Sequence, residues 1–446
     1  MSRLKGRIAV VMVHGMGNQF PMDTLRGFAD ALKPEGEIEY SSPNRITDDT
    51  ETRRLSFRHE KYDFFEYYWA PYVEEPGITE TMIWSFKLLF FKKPSKSLSK
   101  HILFVRLFIG FVILMLAAIG FGVYKIIELN NIKLLIATFI GTLIVLVLKA
   151  GWELLSKTIA GAITKSVGDV VKYTVPSPDN IASRDTIRKH GIELLKNLHE
   201  AKNNNESFKY AKIMVVAHSL GTIVAYDILS SLFAEYNDKY SNIPDTIKQE
   251  MLEKVKNESV NPGENYQELQ EELFDEYRNL GSEWKVSHFI TIGSPLTHAP
   301  MLVVRSEEEF EKKKNQREYP TSPPVMDEHD KNFAFNQQFK RKDKEPRDIK
   351  ILHHAAHFAE TKWTNIYFKN DWIGGKLSDE FGKGIKDVPL KAKGSLVSWV
   401  PLLSHTKYWD KNQVGSVNEL KSIFNLIQSE EVNKKDLPNQ EQPLSA

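Results

Sequence analysis

The 446-residue chain contains no cysteine. That excludes a structural disulfide, a thiolate nucleophile, and any zinc or iron–sulfur site held by cysteine. It also lacks an excess of charge of either sign. Lysine and arginine number 59 against 58 aspartates and glutamates, for a formal net charge of +1. No global field favours nucleic acid or an acidic partner, and no nucleic-acid partner is expected. The start, MSRLKGRIAVVMVHGMGNQ, does not read as a secretory signal, because its apolar run Ile8 to Val13 is short and enters a glycine turn. The fold is therefore expected to begin almost at residue 1. Internal repeats are absent. Apolar residues make up 41% and charged residues 26%, as in a globular protein. Length alone predicts two or three domains, although an α/β enzyme can carry a long chain on one core.

Two long apolar runs stand out. ILFVRLFIGFVILMLAAIGFGVY covers Ile102 to Tyr124, and IKLLIATFIGTLIVLVLKA covers Ile132 to Ala150. A helix needs about 20 apolar residues to cross a roughly 30 Å hydrocarbon core. Arg106 lies near one end of the first run, and Lys133 and Lys149 bound the second, where long side chains can snorkel to the interface. The short KIIELNN connection makes a two-pass helical hairpin the simplest reading, with the lipid bilayer as partner. Lys92, Lys93, Lys96, Lys100 and Lys149 flank its open end, while Lys125 and Lys133 enclose Glu128 at the tip. The positive-inside bias then predicts a cytosolic location for the soluble parts. A buried helical pair, or a hairpin held in one leaflet, are the alternatives. The preceding MIWSFKLLFFKK suits an interfacial segment or an ordinary packed helix.

Outside the hairpin, β and α patterns alternate. Strands are predicted at Ile8 to Val13, Tyr62 to Trp69, Lys212 to Ala217, Val286 to Ile292 and Asn365 to Phe368. Helical patterns cover Thr24 to Leu32, Arg184 to Leu198 and Gly221 to Leu232. The fold class is thus α/β, with a mostly parallel sheet covered on both faces. Residues 1–80 supply its first part, 81–155 the membrane segment (helices about 102–124 and 132–150), and 156–428 the remainder. The charged insertion at about 235–282 is expected to be helical, including NYQELQEELFDEYRNL, and the one at about 305–347 carries a Pro-rich break at TSPP. Such charge runs usually read as solvated faces, and one insertion could serve as a lid. The polar tail 429–446 is expected to be disordered.

The sharpest local signal is KIMVVAHSLGTIVAYDIL. A β-branched strand ends at Ala217, His218 and Ser219 form a tight turn, and a helix follows from Gly221. This strand–turn–helix context lifts a serine hydroxyl above the sheet. Small residues at Ala217 and Gly221 let strand and helix approach, with alanine where glycine is usual. The helix N-terminus favours negative charge, and the Leu220 N–H is positioned to hold an oxyanion. A second N–H is expected from the loop after the first strand, His14-Gly15-Met16-Gly17, with Met16 as donor. His14 reads as a structural member of that loop. A dinucleotide site is a weaker reading, since GMGNQF lacks the full glycine fingerprint.

A serine needs a histidine to accept its proton, and the histidine needs a carboxylate to orient it. Asp371 follows the strand Asn365 to Phe368 and precedes Gly374-Gly375, while Asp387 and Asp410 are rivals. His405, in SWVPLLSHTKYWD, is the last histidine. His353, His354 and His357 lie in ILHHAAHF, where 353 and 357 invite a metal reading that lacks a neighbouring acid. His298, in TIGSPLTHAP, is placed on a pocket wall.

With VHGMGN, AHSLG, TIGSPL, NIYFKND and SHTKYW in hand, the chain resembles the lipase and esterase branch of the α/β-hydrolase superfamily. The resemblance covers roughly residues 5–35, 180–235, 285–300 and 360–410. It implies the chain order Ser219, Asp371, His405. It further implies a serine hydrolase that cleaves carboxylic or lipid esters through an acyl-enzyme, with no metal or organic cofactor. Amide or thioester cleavage, and an inactive membrane scaffold on the same fold, are the other readings. The hairpin and the charged insertions match no pattern of that family and leave the substrate open.

Overall fold

A computed structural model describes residues 6–16, 19–47, 51–73, 177–237, 262–279, 281–304, 306–326, 333–339, 347–394 and 404–425, with 170, 172–174 and scattered positions between 90 and 141. Its centre is an eight-stranded sheet in the order β10-β9-β6-β5-β1-β4-β3-β2. The strands are β1 (Arg7–Val13), β2 (Glu39–Pro43), β3 (Arg53–Phe57), β4 (Tyr62–Tyr67), β5 (Tyr210–His218), β6 (Val286–Ile292), β9 (Lys362–Phe368) and β10 (Lys386–Leu390). All neighbours from β10 to β4 run parallel, and β3 and β2 close one edge antiparallel. The fold is therefore α/β with a mixed, mostly parallel sheet. Chain from both sides of the long apolar insertion enters this one sheet.

Period-two alternation sends β-residues to opposite faces. On one face Val11, Val13, Phe65, Val215 and Phe289 pack with Leu194, Ile228 and Phe274. These come from helices α2 (Pro178–Glu200), α3 (Gly221–Tyr236) and α4 (Pro262–Asn279). On the other face Val10, Met12, Phe64, Met214 and Ile290 pack with Leu25, Phe28 and Leu420. Those belong to α1 (Asp23–Leu32) and to α6 (Val414–Ile423), the last helix; α5 (Glu307–Asn315) lies between β6 and the strands that follow. Both sheet faces are thus covered, which explains why β1 and β5 read as continuous apolar runs.

Five strands and three helices lie where the sequence predicts them, with longer bounds for α2 and β9. The expected strand Tyr62 to Trp69 stops at Tyr67, because Trp69 turns away to clamp the first loop. The stretch NYQELQEELFDEYRNL forms most of α4, as its pattern predicts, and the apolar side of that helix packs on the sheet. Within 305–347 the structure adds α5 and a separate antiparallel pair, β7 (Ala334–Phe339) with β8 (Arg347–Leu352).

The predicted hairpin falls almost entirely outside the described residues, as does the tail 429–446. The described positions of its first run are helical, and Leu107, Leu114 and Phe121 are well exposed. Among the described residues no helix is long and apolar enough to cross a membrane.

One buried carboxyl group stands apart from the sheet. Glu360 is fully buried, and among the described residues neither of its oxygens has a hydrogen-bond partner. Burial drives its pKa well above the carboxylate range, against the opposing charge of Arg278. A raised pKa confers stability that is complete below the ordinary value and is lost as pH rises. Glu360→Gln should therefore be more stable than the parent at pH 8 by roughly 1–3 kcal/mol, with the gap closing toward pH 5. Urea titrations of both proteins at the two pH values check this; an unchanged gap refutes a neutral Glu360.

Candidate active site

β5 ends at His218, and α3 starts at Gly221. Between them Ser219 adopts φ 53, a left-handed conformation that a residue with a Cβ rarely accepts. The turn is held from three sides. The Ser219 N–H donates to Ile292 O at 3.0 Å. Thr222 Oγ1 bonds Ser219 O and meets Ser294 Oγ, both at 2.7 Å. Gly221 lets α3 crowd the end of β1, since a Cβ there would lie 2.2 Å from His14 O and 2.6 Å from Val13 O. Ala217 sits fully buried in the strand, its methyl accommodated.

The loop after β1 lies against this turn. A Cβ on Gly15 would fall 2.9 Å from Ser219 Cβ, so only glycine permits the approach. His14 is buried, and its Nδ1–H donates to Gly15 O at 2.7 Å. Its Nε2 accepts from the Trp69 and Ala70 N–H groups at 3.1 and 3.3 Å. Trp69 Nε1–H returns a bond to His14 O at 2.9 Å, and the two rings stack at 5.0 Å. Burial lowers the His14 pKa to about 4, with its Gly15 bond opposing. His14 is thus a neutral strut, with both nitrogens committed. Among the described residues, the N–H groups of Met16 and Leu220 bond no backbone carbonyl. Gly17 lies outside the described residues.

Asp371 and His405 come together 34 positions apart in the chain. His405 Nδ1 and Asp371 Oδ2 are 2.8 Å apart, and the carboxylate is fully buried. The same oxygen accepts the Tyr408 phenol at 2.7 Å, and Oδ1 accepts the Ile373 N–H at 2.9 Å. Burial alone would raise the Asp371 pKa. The charge of His405 and the hydrogen bonds from His405, Tyr408 and Ile373 outweigh it and hold the carboxyl below its ordinary value. Asp371 is therefore an ion that fixes the proton on His405 Nδ1 and leaves Nε2 as the basic nitrogen.

His405 meets the Ser219 turn through Gly293. A Cβ on Gly293 would lie 3.1 Å from both Nδ1 and Cε1 of His405, and Gly293 directly follows Ile292, the acceptor for Ser219 N–H. His218, beside Ser219, stacks on the His405 ring at 4.9 Å and its Nε2 contacts His405 O at 2.9 Å. Burial, reinforced by the charge of His405, takes the His218 pKa down to about 3, so it too is neutral. Ser219 Oγ and His405 Nε2 are both buried and without a hydrogen-bond partner among the described residues. The bond between them is not made in this arrangement; such contacts commonly tighten only when substrate is bound.

The rival residues lie elsewhere. Asp387 is on β10 and accepts Asn365 Nδ2 at 2.6 Å and the Leu377 and Ser378 N–H groups, which pins the loop after Asp371. A strand does carry it, although the sequence shows no strand signal there. Asp410 pairs with Lys407 at the surface. His298 is buried, with Nε2 2.9 Å from Trp372 O. His353 contacts Val325 O, and among the described residues both nitrogens of His357 lack partners. Among the described residues no three His, Asp or Glu side chains converge as metal ligands.

Three supports escape sequence reading: Trp69 behind the first loop, the Thr222–Ser294 bond behind the serine, and Tyr408 behind the acid. Tyr408 stands three residues after His405, inside SHTKYW, and its hydroxyl also accepts the Phe368 N–H at 3.0 Å. Tyr408→Phe should slow reaction of Ser219 with a phosphonate probe about tenfold, through loss of one charge-assisted bond to Asp371. The acid limb of its pH profile should move upward as Asp371 loses stabilisation. An unaltered rate and pH profile would remove Tyr408 from the site. A scan against protein-family models and searches of curated proteins and of solved structures find no match to this chain.

Proposed function

We propose that the chain is a serine hydrolase acting on carboxylic esters, with Ser219 as nucleophile, His405 as base and Asp371 as the orienting acid. The observation that supports it most is the left-handed Ser219 turn abutting, at Gly293, a histidine whose Nδ1 is held by a buried, ionised aspartate. In this reading Ser219 Oγ attacks the ester carbonyl while His405 Nε2 takes its proton. The Leu220 and Met16 N–H groups, with the N-terminus of α3, stabilise the oxyanion. His405 then returns the proton to the departing alcohol, and water repeats the sequence to release the acid. Asp371 stabilises the imidazolium throughout.

The second half of the reading is a two-pass anchor. The runs Ile102 to Tyr124 and Ile132 to Ala150, with lysines at their open end, support a hairpin in the bilayer and a catalytic part on the cytosolic side. Such an anchor keeps the enzyme beside ester substrates that partition into lipid. Amide and thioester cleavage need the same constellation and rank behind esters.

Labelling of the detergent-solubilised chain with a fluorophosphonate tests the serine. The parent should label, and Ser219→Ala and His405→Ala should not. A folded parent that stays unlabelled would favour the inactive scaffold.

A further inference from the structure

Both attachment points of the long insertion lie at the end of the sheet that carries Ser219. β4 runs parallel to β1 and β5, so Tyr67 emerges beside Val13 at the carboxyl end. The chain continues through the turn Ala70–Tyr72. The start of α2 is tied back to the same place: Ser183 Oγ bonds Tyr72 O, Tyr67 OH bonds Ile187 O, and the Tyr72 and His190 rings meet at 4.5 Å. The segment between Val73 and Ser177, which carries both apolar runs, therefore leaves and rejoins next to Trp69 and the loop that abuts Ser219.

Both ends of the sheet expose apolar side chains: Phe20 (71%), Ile181 (55%) and Val414 (46%) at the carboxyl end, Phe208 (52%), Tyr40 (49%) and Ile38 (45%) at the amino end. Surface chemistry alone therefore does not choose between them. The attachment points of the insertion do, since an anchor that leaves and rejoins at the carboxyl end holds that end against the bilayer and lets its apolar side chains enter the interface.

We propose that the carboxyl end of the sheet is a membrane-docking face, so that the Ser219 site opens toward the bilayer and receives esters held there. This rests on the anchor proposed above. The absence of native cysteine makes every introduced thiol unique. Phe20→Cys and Ile181→Cys report the carboxyl end, and Asn205→Cys and Lys61→Cys, both exposed, report the amino end. Each full-length variant is labelled with an environment-sensitive fluorophore and reconstituted in phosphatidylcholine–phosphatidylglycerol vesicles containing a nitroxide lipid. Emission at 20 and 181 should shift to the blue and be quenched several-fold more than at 205 and 61.

Equal quenching at both ends, or stronger quenching at 205 and 61, overturns the orientation while leaving the anchor intact. A chain that does not sediment with the vesicles overturns anchor and orientation together. Fluorophosphonate labelling of the same vesicles reads the serine chemistry separately.

Discussion

Ester turnover should fall by about four to six orders of magnitude in Ser219→Ala or His405→Ala, and somewhat less in Asp371→Asn. The inequality follows from the proposed roles. In that mechanism, removing Ser219 deletes the attacking atom, and removing His405 deletes the acceptor for its proton. Asp371→Asn keeps a hydrogen-bonding group between Tyr408 and His405 but loses the charge that stabilises the imidazolium. Because the three act as one unit, the double variant Ser219→Ala/His405→Ala should lose little beyond either single change. Steady-state rates on a soluble short-chain ester, with folding checked by circular dichroism, decide the matter. Comparable turnover in Ser219→Ala removes the mechanism, and additive losses in the double variant would mean that the residues act separately.

Acid should destabilise the protein steeply between pH 6.5 and pH 4. Five histidines are held neutral by burial: His14 and His298 with pKa values of about 4, and His218, His288 and His357 at about 3. An unfolded chain protonates its histidines from about pH 6.5 downward, while the folded chain resists until pH 3–4. Lowered pKa values mean stability that is present above the unfolded value and is lost as pH falls toward the folded one. At pH 5 each histidine forfeits about 2 kcal/mol, so five are comparable to the whole stability of an ordinary domain, about 5–15 kcal/mol.

Glu360 works in the opposite sense, since its raised pKa favours the folded state in acid, but it is one group against five. Urea midpoints measured at pH 7, 6 and 5 should fall with a histidine uptake approaching five protons. His357→Leu, at a site where neither ring nitrogen has a partner among the described residues, should lower that uptake by one and leave probe labelling unchanged. A flat profile from pH 7 to 5 would refute neutral burial of these rings.

The parts of the fold legible in the sequence are those whose pattern is local. β1, β5 and β6 lie inside the sheet with parallel neighbours on both sides, so β1 and β5 contain apolar runs and β6, VSHFITI, is rich in β-branched and aromatic residues. β2 and β3, EYSSP and RRLSF, form the antiparallel edge with partly exposed side chains, and no run marks them. β10 carries Pro389 at the other edge, where a missing N–H is tolerated but the strand signal is weak. Ser219 and Asp371 are legible for the same reason, each following a strand, whereas His405 lies in a short helical turn and is legible from its place as the last histidine. The supports of this candidate triad are not. Trp69 reaches His14 across 55 positions and Thr222 reaches Ser294 across 72, distances over which no spacing rule operates. Asp387 was underrated because its role, capping the loop before Ser378, depends on a strand that only pairing with β9 creates.

The left-handed backbone at Ser219 also sets a conflict between durability and reactivity at a single position. Holding a residue with a Cβ there costs on the order of 1–2 kcal/mol, a cost that glycine would escape. Selection for a robust fold alone would replace the serine; a chain that keeps it has been shaped against its own conformational preference. Directed evolution of this protein for heat resistance without an activity screen would therefore drift first toward loss of the hydroxyl, and toward a sturdier molecule without the proposed nucleophile.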